Sequence, residues 1–545
     1  MNLDLDFGLY NIDLGKIIRF IKRDMEDDWF PDPLHFKDRF DHKRIIDYFD
    51  KNIKKNNGMY QPEKRILLNV PKPQGTLRYS LETNFFDRLV YHAYGVTLIQ
   101  HFDKLLTRRL FSHRYNYKGH NKYNSKYLFY HPISQWKKFE EFVKISGKKS
   151  TILQTDLENY FEHININILK DTLLGFLNKC DATGKEKAKI RFCIESICTC
   201  LLKWSFNPVH GLPQNRDISS FLANIYLCPI DDIMINQGYD YYRYMDDIRI
   251  VCKDQFQARK AIKTLAVELR KIDLSLNGYK TKILVYGSKD HDDFIYEKEV
   301  ELERIDALIN TKKRNIVAIA YQEVKEKLEE CLKNNEYDSR KFRFLINRVS
   351  TIAKCKDIKK PKNYYRNIKN NIFKAVVTHP AFMDKYYDFL SGIELTKTDL
   401  KKLSEYLSSD EYSIYSWQNY AIWKLLILNN YKTKKLLLLA TGQLKSDKEA
   451  MIAGAVLYLG KFGNYSIKKN ILLLLKNTSS FFVQRHCLLA LQEFPYKHLQ
   501  EIKEKIIESN DRVYNYFHGS KKHEYVKPPE NVNFNNIFNQ IGFYA

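Results

Sequence analysis

Residues Tyr239 to Val251 read Tyr-Asp-Tyr-Tyr-Arg-Tyr-Met-Asp-Asp-Ile-Arg-Ile-Val, two β-type runs that meet at the adjacent acids Asp246 and Asp247. Aromatic and β-branched residues dominate both flanks, so the pattern predicts a hairpin whose tip carries the two carboxylates out of a sheet. Like charges held that close repel unless a cation lies between them. An Asp-Asp pair alone also reads as an ordinary solvated turn, and other parts of the chain have to decide.

The first of these is Thr151 to Phe161, Thr-Ile-Leu-Gln-Thr-Asp-Leu-Glu-Asn-Tyr-Phe, a β-branched strand that ends in Asp156. A helix is expected to follow through Ile164, Ile168 and Leu169. An acid at a strand end before a helix projects a metal ligand at the edge of a sheet. Three acids from two strands suffice for two magnesium ions, the arrangement that clamps both oxygens of an in-line phosphoryl displacement. Between the acidic segments lies Gly211-Leu212-Pro213-Gln214-Asn215-Arg216, a Pro-anchored loop that enters an apolar helix. After Asp247, a helix is expected from roughly Phe256 to Ile272, and then a basic cluster around Lys280.

In this order the segments resemble a reverse transcriptase. The resemblance covers about residues 65–290. It implies fingers and palm of a right-hand polymerase with Asp156, Asp246 and Asp247 as catalytic acids and the Leu157 carbonyl as a further metal ligand. Phe161 matches the gate that crowds a ribose 2′-hydroxyl, Gln214 the loop residue near the nascent base pair, and Lys280 the basic residue near the incoming triphosphate. Upstream, Val70 to Tyr79 matches the fingers segment, in which Lys72 and Arg78 approach the triphosphate. Phe85 to Ala93 and Leu110 to Arg114 fit the next segments of the family pattern. Asn215 stands where the family usually has Gly, and Tyr79 where many members have Pro. Asn tolerates a left-handed backbone better than other non-glycine residues, so the loop is expected to survive. The implied cofactor is Mg2+ or Mn2+, and the implied partners are dNTPs, an RNA template and a DNA product.

Composition agrees with a polyanionic partner: Lys and Arg number 89 against 65 for Asp and Glu, a formal net charge of +24. A solvated surface from a Lys-rich proteome would give the same balance. The nine cysteines form no Cys-x-x-Cys pairing with a partner, and Cys193, Cys198 and Cys200 fall in an apolar helical pattern, as expected of core positions in a reducing cytoplasm. The acidic start, Met1 to Asp6, lacks an apolar signal core. No run is expected to reach the roughly eighteen apolar residues of a membrane helix. The expectation is a bacterial cytoplasmic protein.

The rest of the chain reads as α-helical. Residues 1–64 form an N-terminal helical extension and 291–353 a helical thumb. Arg340, Lys341, Arg343 and Arg348 are placed there to grip a duplex backbone. A basic linker comes next at 354–375, broken by Pro361, in which Tyr364 and Tyr365 offer faces for bases. From 376 to 545 a quasi-repeat runs through Ala421, Ala455 and Cys487, in steps of 34 and 32 residues. Lys434 to Leu439 and Ile471 to Leu475 are the expected partner helices. The fold class is thus α+β, a right-hand polymerase followed by an all-α HEAT-like repeat domain.

A reverse transcriptase palm joined to such an array resembles the abortive-infection and other defence-associated bacterial enzymes. That resemblance implies a homo-oligomer, anti-phage defence, and DNA synthesis that is untemplated or templated by a companion non-coding RNA. It also permits priming from a protein tyrosine. Tyr10 and Tyr544 are the candidates, because chain termini are mobile enough to reach Asp156 and Asp246. Three alternatives stay open: a group II intron or retron type enzyme, an RNA-dependent RNA polymerase, and a non-enzymatic helical scaffold with a degenerate polymerase domain.

Overall fold

The structure, a computed structural model, describes all residues other than 1, 4–11, 57–59, 121–126, 206, 297–299, 362, 512, 514–521, 535–536 and 538–545. It divides into two units, one formed by Met1–Pro31, Arg39–Leu67 and Leu81–Lys298, the other by Asp32–Asp38, Leu68–Ser80 and Glu299–Ala545.

In the first unit, α1 (Leu14–Asp24) starts at Asp13, whose carboxylate accepts from the Gly15 and Lys16 amides, and buries Leu14, Ile17, Ile18 and Ile21. The strands β1 (Ile66–Pro71) and β2 (Leu77–Glu82) form a hairpin whose residues 68–80 group with the second unit. Next come α2 (Phe85–Phe102), against which α1 packs, α3 (Pro132–Gly147), β3 (Thr151–Thr155), α4 (Ile166–Lys179), α5 (Gly184–Trp204) and α6 (Asp217–Asn236). The unit closes with β4 (Asp240–Tyr244), β5 (Asp247–Cys252), α7 (Gln255–Arg270) and β6 (Lys282–Leu284).

The last four strands form an antiparallel sheet in the order β4-β5-β3-β6. Alternation gives it two buried faces. On one, Ile152, Tyr242, Val251 and Leu284 pack with Phe111 and with Phe139 and Val143 of α3. On the other, Leu153, Ile250 and Tyr241 stand in register, and α6 and α7 pack on these strands. The expected helix after Asp156 is delayed: a short turn at Tyr160–His163 comes first, and α4 starts from an Asn165 cap. Cys193, Cys198 and Cys200 are buried in α5, as their pattern predicts.

One expectation needs correction. By length and composition α6 is apolar enough to cross a membrane, and 78% of that stretch is buried inside the structure. It packs against α2, α4, α7 and β4, so a helix that is apolar all round is here a core helix.

The second unit contains α8 (Val300–Asn310), α9 (Arg314–Lys333), α10 (Arg340–Lys354), α11 (Arg366–Thr378), α12 (Met383–Ser391), α13 (Lys397–Leu407) and α14 (Ser416–Leu428). It continues with α15 (Lys434–Gln443), α16 (Glu449–Phe462), α17 (Tyr465–Asn477) and α18 (Phe481–Ala490). Along this series α10 packs on α12, α12 on α14, α14 on α16 and α16 on α18, while α15 and α17 cover α16 and α18. Small residues set the spacing: a Cβ at Gly454 would lie 2.7 Å from the Trp423 ring, and one at Gly460 would lie 2.6 Å from the Ala490 Cβ.

Two surface expectations in this unit are corrected. Arg348 does not face a duplex: it is fully buried and its guanidinium lies 2.8 Å from Asp306 of α8. The Tyr365 ring packs edge-on against Phe389 at 5.5 Å rather than being held out for a base, while the half-buried Tyr364 donates its hydroxyl to Gln322 at 3.1 Å. The buried Phe389 of α12 outcompetes solvent for the Tyr365 ring.

Arg485 of α18 is a second buried charge in this unit. Its guanidinium reaches Asp38 Oδ1 at 2.6 Å and Asp32 Oδ2 at 3.0 Å, with side chains no more than 5% exposed, and lies 4.7 Å from the Phe36 ring. Removing one partner from such a set strands a buried charge, at about 3–5 kcal/mol. Arg485→Met is therefore expected to destabilise the second unit by about that amount in urea unfolding. Adding Asp32→Asn and Asp38→Asn should recover part of the loss, since no charge is then left unpaired.

Candidate active site

Strand register brings the acids together. Thr155, the last residue of β3, pairs with Ile248 of β5, so the adjoining residues, Asp156 just past β3 and Asp247 at the start of β5, stand side by side at one end of the sheet. Tyr244 pairs with Asp247 across β4 and β5, which leaves Met245 and Asp246 as a two-residue turn. Met245 has a left-handed φ of 59°, unfavourable for a residue with a long side chain.

Buried polar groups hold that turn. The Met245 amide donates to Ser112 Oγ at 2.9 Å, and Arg243 Nη1 donates to the Met245 carbonyl at 3.0 Å. Arg243 is fully buried and forks onto Asp231 of α6, at 2.8 and 2.5 Å, and onto Asn224 Oδ1 at 2.8 Å. Asn224 in turn donates to the Ser112 carbonyl at 3.0 Å, and the Tyr241 hydroxyl to Asp231 at 2.8 Å. An ion pair this deep is stable only when its remaining donors and acceptors are satisfied, as they are here.

The electrostatics are those of crowded carboxylates. Burial, then the charges of Asp156 and Asp247, push the Asp246 carboxyl up to about 7. Burial also raises Asp247, against the pull of Arg249, whose Nη1 lies 2.9 Å from Asp247 Oδ1. The Lys280 ammonium is bonded to Asp156 Oδ2. Burial opposes its charge, yet the bond to Asp156 and the fields of Asp246 and Asp247 hold its pKa above the ordinary lysine value.

These residues fit divalent cations. The site gathers negative charge, places two side-chain cations on it, and raises the proton affinity of its most crowded acid. Among the described residues no three His, Cys, Asp or Glu side chains already close around one point. With Lys280 and Arg249 drawn onto Asp156 and Asp247, the carboxylates are gathered without being caged. The flanking bonds at Leu157 use the Asp156 carbonyl, which accepts from Asn277, and the Glu158 amide, so neither engages the Leu157 carbonyl.

The other candidates divide. The half-buried Phe161 packs against Tyr160 at 5.5 Å, and its carbonyl accepts from the Leu212 amide at 2.9 Å, which ties it to the loop carrying Gln214. Asn215 adopts the left-handed φ of 52° that its residue type permits. Lys72 and Arg78 lie on the β1–β2 hairpin, whose turn is closed by the Lys72 amide on the Thr76 carbonyl at 2.7 Å. Tyr10 and Tyr544 lie outside the described residues.

Sequence reading missed the brace of Arg243, Asp231, Asn224 and Ser112. Its one signal was an arginine in the middle of an aromatic strand, a position that becomes buried when both faces of the sheet are covered. It also missed Arg249, whose spacing two residues beyond Asp247 places both on one face of β5.

This sheet, with acids at the ends of two central antiparallel strands and a lysine on them, defines a nucleotidyl-transferring polymerase palm. Residues 70–349, more than half of the chain, match the family model described as reverse transcriptase (RNA-dependent DNA polymerase). The chain belongs to the reverse transcriptase family and is an RNA-directed DNA polymerase. No curated protein matches it. Solved structures similar to it include apo telomerase from Candida tropicalis, at 11% identity over 79% of this chain and 74% of that one, with a TM-score of 0.32. Telomerase from Candida albicans in complex with a TWJ fragment of telomeric RNA also matches, at 11% identity over 82% and 69%, with a TM-score of 0.27. Superpositions this loose carry no argument about this chain.

The raised Asp246 pKa makes a testable contribution to stability. Its folded value of about 7 lies above the ordinary 3.8, so the folded state holds the proton more tightly. That contribution is present below about pH 4 and is lost as pH rises through 7. In metal-free buffer, Asp246→Asn should therefore be more stable than wild type at pH 8, by about 1–3 kcal/mol, and nearly equal to it at pH 4. Thermal unfolding across that range checks the sign.

Proposed function

We propose that this reverse transcriptase adds dNTPs by a two-metal mechanism centred on Asp156, Asp246 and Asp247. The observation that carries the reading is the register of Thr155 with Ile248, which brings acids from two strands to the same end of the sheet beside the Lys280 ammonium. Mg2+ or Mn2+, when bound, would lower the pKa of the attacking hydroxyl and neutralise charge at the α-phosphate. The three carboxylates and the Leu157 carbonyl would hold the ions. Lys280, released from Asp156, would turn to the triphosphate, joined by Lys72 and Arg78. Phe161 would crowd the 2′-position of the sugar, and Gln214 would border the nascent base pair. An aromatic at Phe161 works against the RNA-polymerase alternative, which needs a polar partner for the 2′-hydroxyl.

The finer assignment is host defence of the abortive-infection kind, in a bacterial cytoplasm. It is supported by the helical series of the second unit, in which α14, α16 and α18 carry the quasi-repeat and α15 and α17 fall where partner helices are expected. We read this as a HEAT-like repeat domain, 376–545, that follows fingers and palm at 65–290, thumb at 291–353 and linker at 354–375. A repeat array of this kind assembles copies of the chain into a homo-oligomer and leaves a surface for a companion non-coding RNA. Group II intron and retron type enzymes share the palm and remain the nearest competing class. Initiation from a tyrosine hydroxyl is compatible with the site, because the chemistry asks only for an oxygen in line with the α-phosphate.

Incubating purified protein with labelled dNTPs and Mg2+ tests the reading. Asp156→Ala and Asp246→Ala should abolish incorporation while keeping the wild-type circular dichroism spectrum; full activity in either removes these acids from the mechanism. Label that stays with protein through boiling and leaves with protease would mark tyrosine priming, and label freed as DNA would exclude it.

In competition between dGTP and rGTP, Phe161→Ala should lose on the order of 1–3 kcal/mol of preference for the deoxy sugar. An unchanged ratio would return Phe161 to the role of a packing residue.

A further inference from the structure

We propose that α1 and the four residues after it are the mount of the 211–216 loop, with Asn215 and Arg216 as positioning residues for nucleotide selection. This rests on the reading of that loop as facing the nascent base pair. Residues 14–28 lie upstream of the matched span 70–349.

Three consecutive residues after Gln214 are bonded to the segment 24–28. Asn215 Nδ2 donates to the Asp27 carbonyl at 3.1 Å. Arg216 Nη1 donates to Asp28 Oδ1 at 2.7 Å and to the Asn215 carbonyl at 3.0 Å, and its Nη2 reaches Glu82 Oε2 at 2.5 Å. The Asp217 amide donates to Asp24 Oδ1 at 2.7 Å. This last bond caps α6 from outside, where its own preceding residue, Arg216, supplies no side-chain cap.

The mount is itself fixed. Arg88 of α2 reaches Asp28 at 2.8 Å and Asp24 at 3.1 Å, and the Arg88, Arg216, Asp24 and Asp28 side chains are at most 4% exposed. Forked guanidinium–carboxylate bonds specify direction as well as distance. On its other side the loop is held at Leu212 by the Phe161 carbonyl. Gln214 therefore spans the gap between two fixed points, one beside the sugar gate and one on the segment that follows α1.

The Asn215 substitution is explained by this arrangement. A glycine would adopt the left-handed φ of 52° at no steric cost, but only a side-chain amide tolerates that backbone and also ties the loop to Asp27. The loop exchanges glycine's freedom for a tether.

Two variants test the proposal in the full chain: Asn215→Gly, which cuts the tether and keeps the backbone, and Arg216→Lys, which keeps the charge and loses the fork. Hydrogen exchange of amides 212–217 should quicken about tenfold or more in each, with thermal unfolding confirming that the fold persists. With dTTP on oligo(dT) annealed to poly(rA), the KM should rise about threefold or more and mismatched insertion should increase, while kcat changes less than about twofold. Wild-type exchange in both variants, or a fall in kcat at constant KM, overturns the proposal. The exchange experiment needs no catalysis, so an inactive wild-type enzyme would overturn the proposed function and the nucleotide-selection role while the mount is still judged by its amides.

Discussion

Three carboxylates gathered at the ends of two neighbouring strands repel one another, and much of the first unit is arranged to withstand that repulsion. Asp246 shows the strain in its raised proton affinity, and Lys280 and Arg249 show the remedy, each drawn onto one of its neighbours. The Met245 turn could not hold such a charge with solvent-exposed bonds alone. Arg243 anchors it from below, through Asp231 and Asn224, to the longest apolar helix of the core. Covering both faces of the sheet thus serves the site directly: it removes water from the bonds that aim the acids.

The same device recurs across the chain. Arg88, Arg216, Arg243, Arg348 and Arg485 are all buried, each forked onto one or two acids. Arginine suits this use because its planar fork fits carboxylates in two directions at once and does not lose its charge on burial. These arginines are internal ties, so the excess of +24 reaches a polyanionic partner through the exposed lysines and the remaining exposed arginines. Arg348 illustrates the difference: a helix rich in basic residues reads as a phosphate grip until Asp306 is found beside it.

Legibility tracked range. The hairpin at Asp246-Asp247, the strand ending at Asp156, the Pro-Gln loop entering an apolar helix and the small residues of α14, α16 and α18 are all local patterns, and each was readable from spacing. Tyr365 misled because an aromatic beside lysines carries the same pattern whether it stacks on a base or packs edge-on against Phe389. The loop departure at Asn215 was visible as an oddity, yet its reason, the Asp27 carbonyl, lies far upstream in the chain.

By itself the sequence determined the chemistry on offer: which acids, in which order, at the ends of which strands, and the family to which that order belongs. Short-range periodicity and turn residues suffice for this, because they act within a few residues of the backbone they shape. Only the tertiary structure decided which charges serve the site and which serve the core. A buried guanidinium and a solvated one are the same letters in the chain. They part only when long-range packing excludes water from one and brings a carboxylate, distant in sequence, within hydrogen-bonding reach.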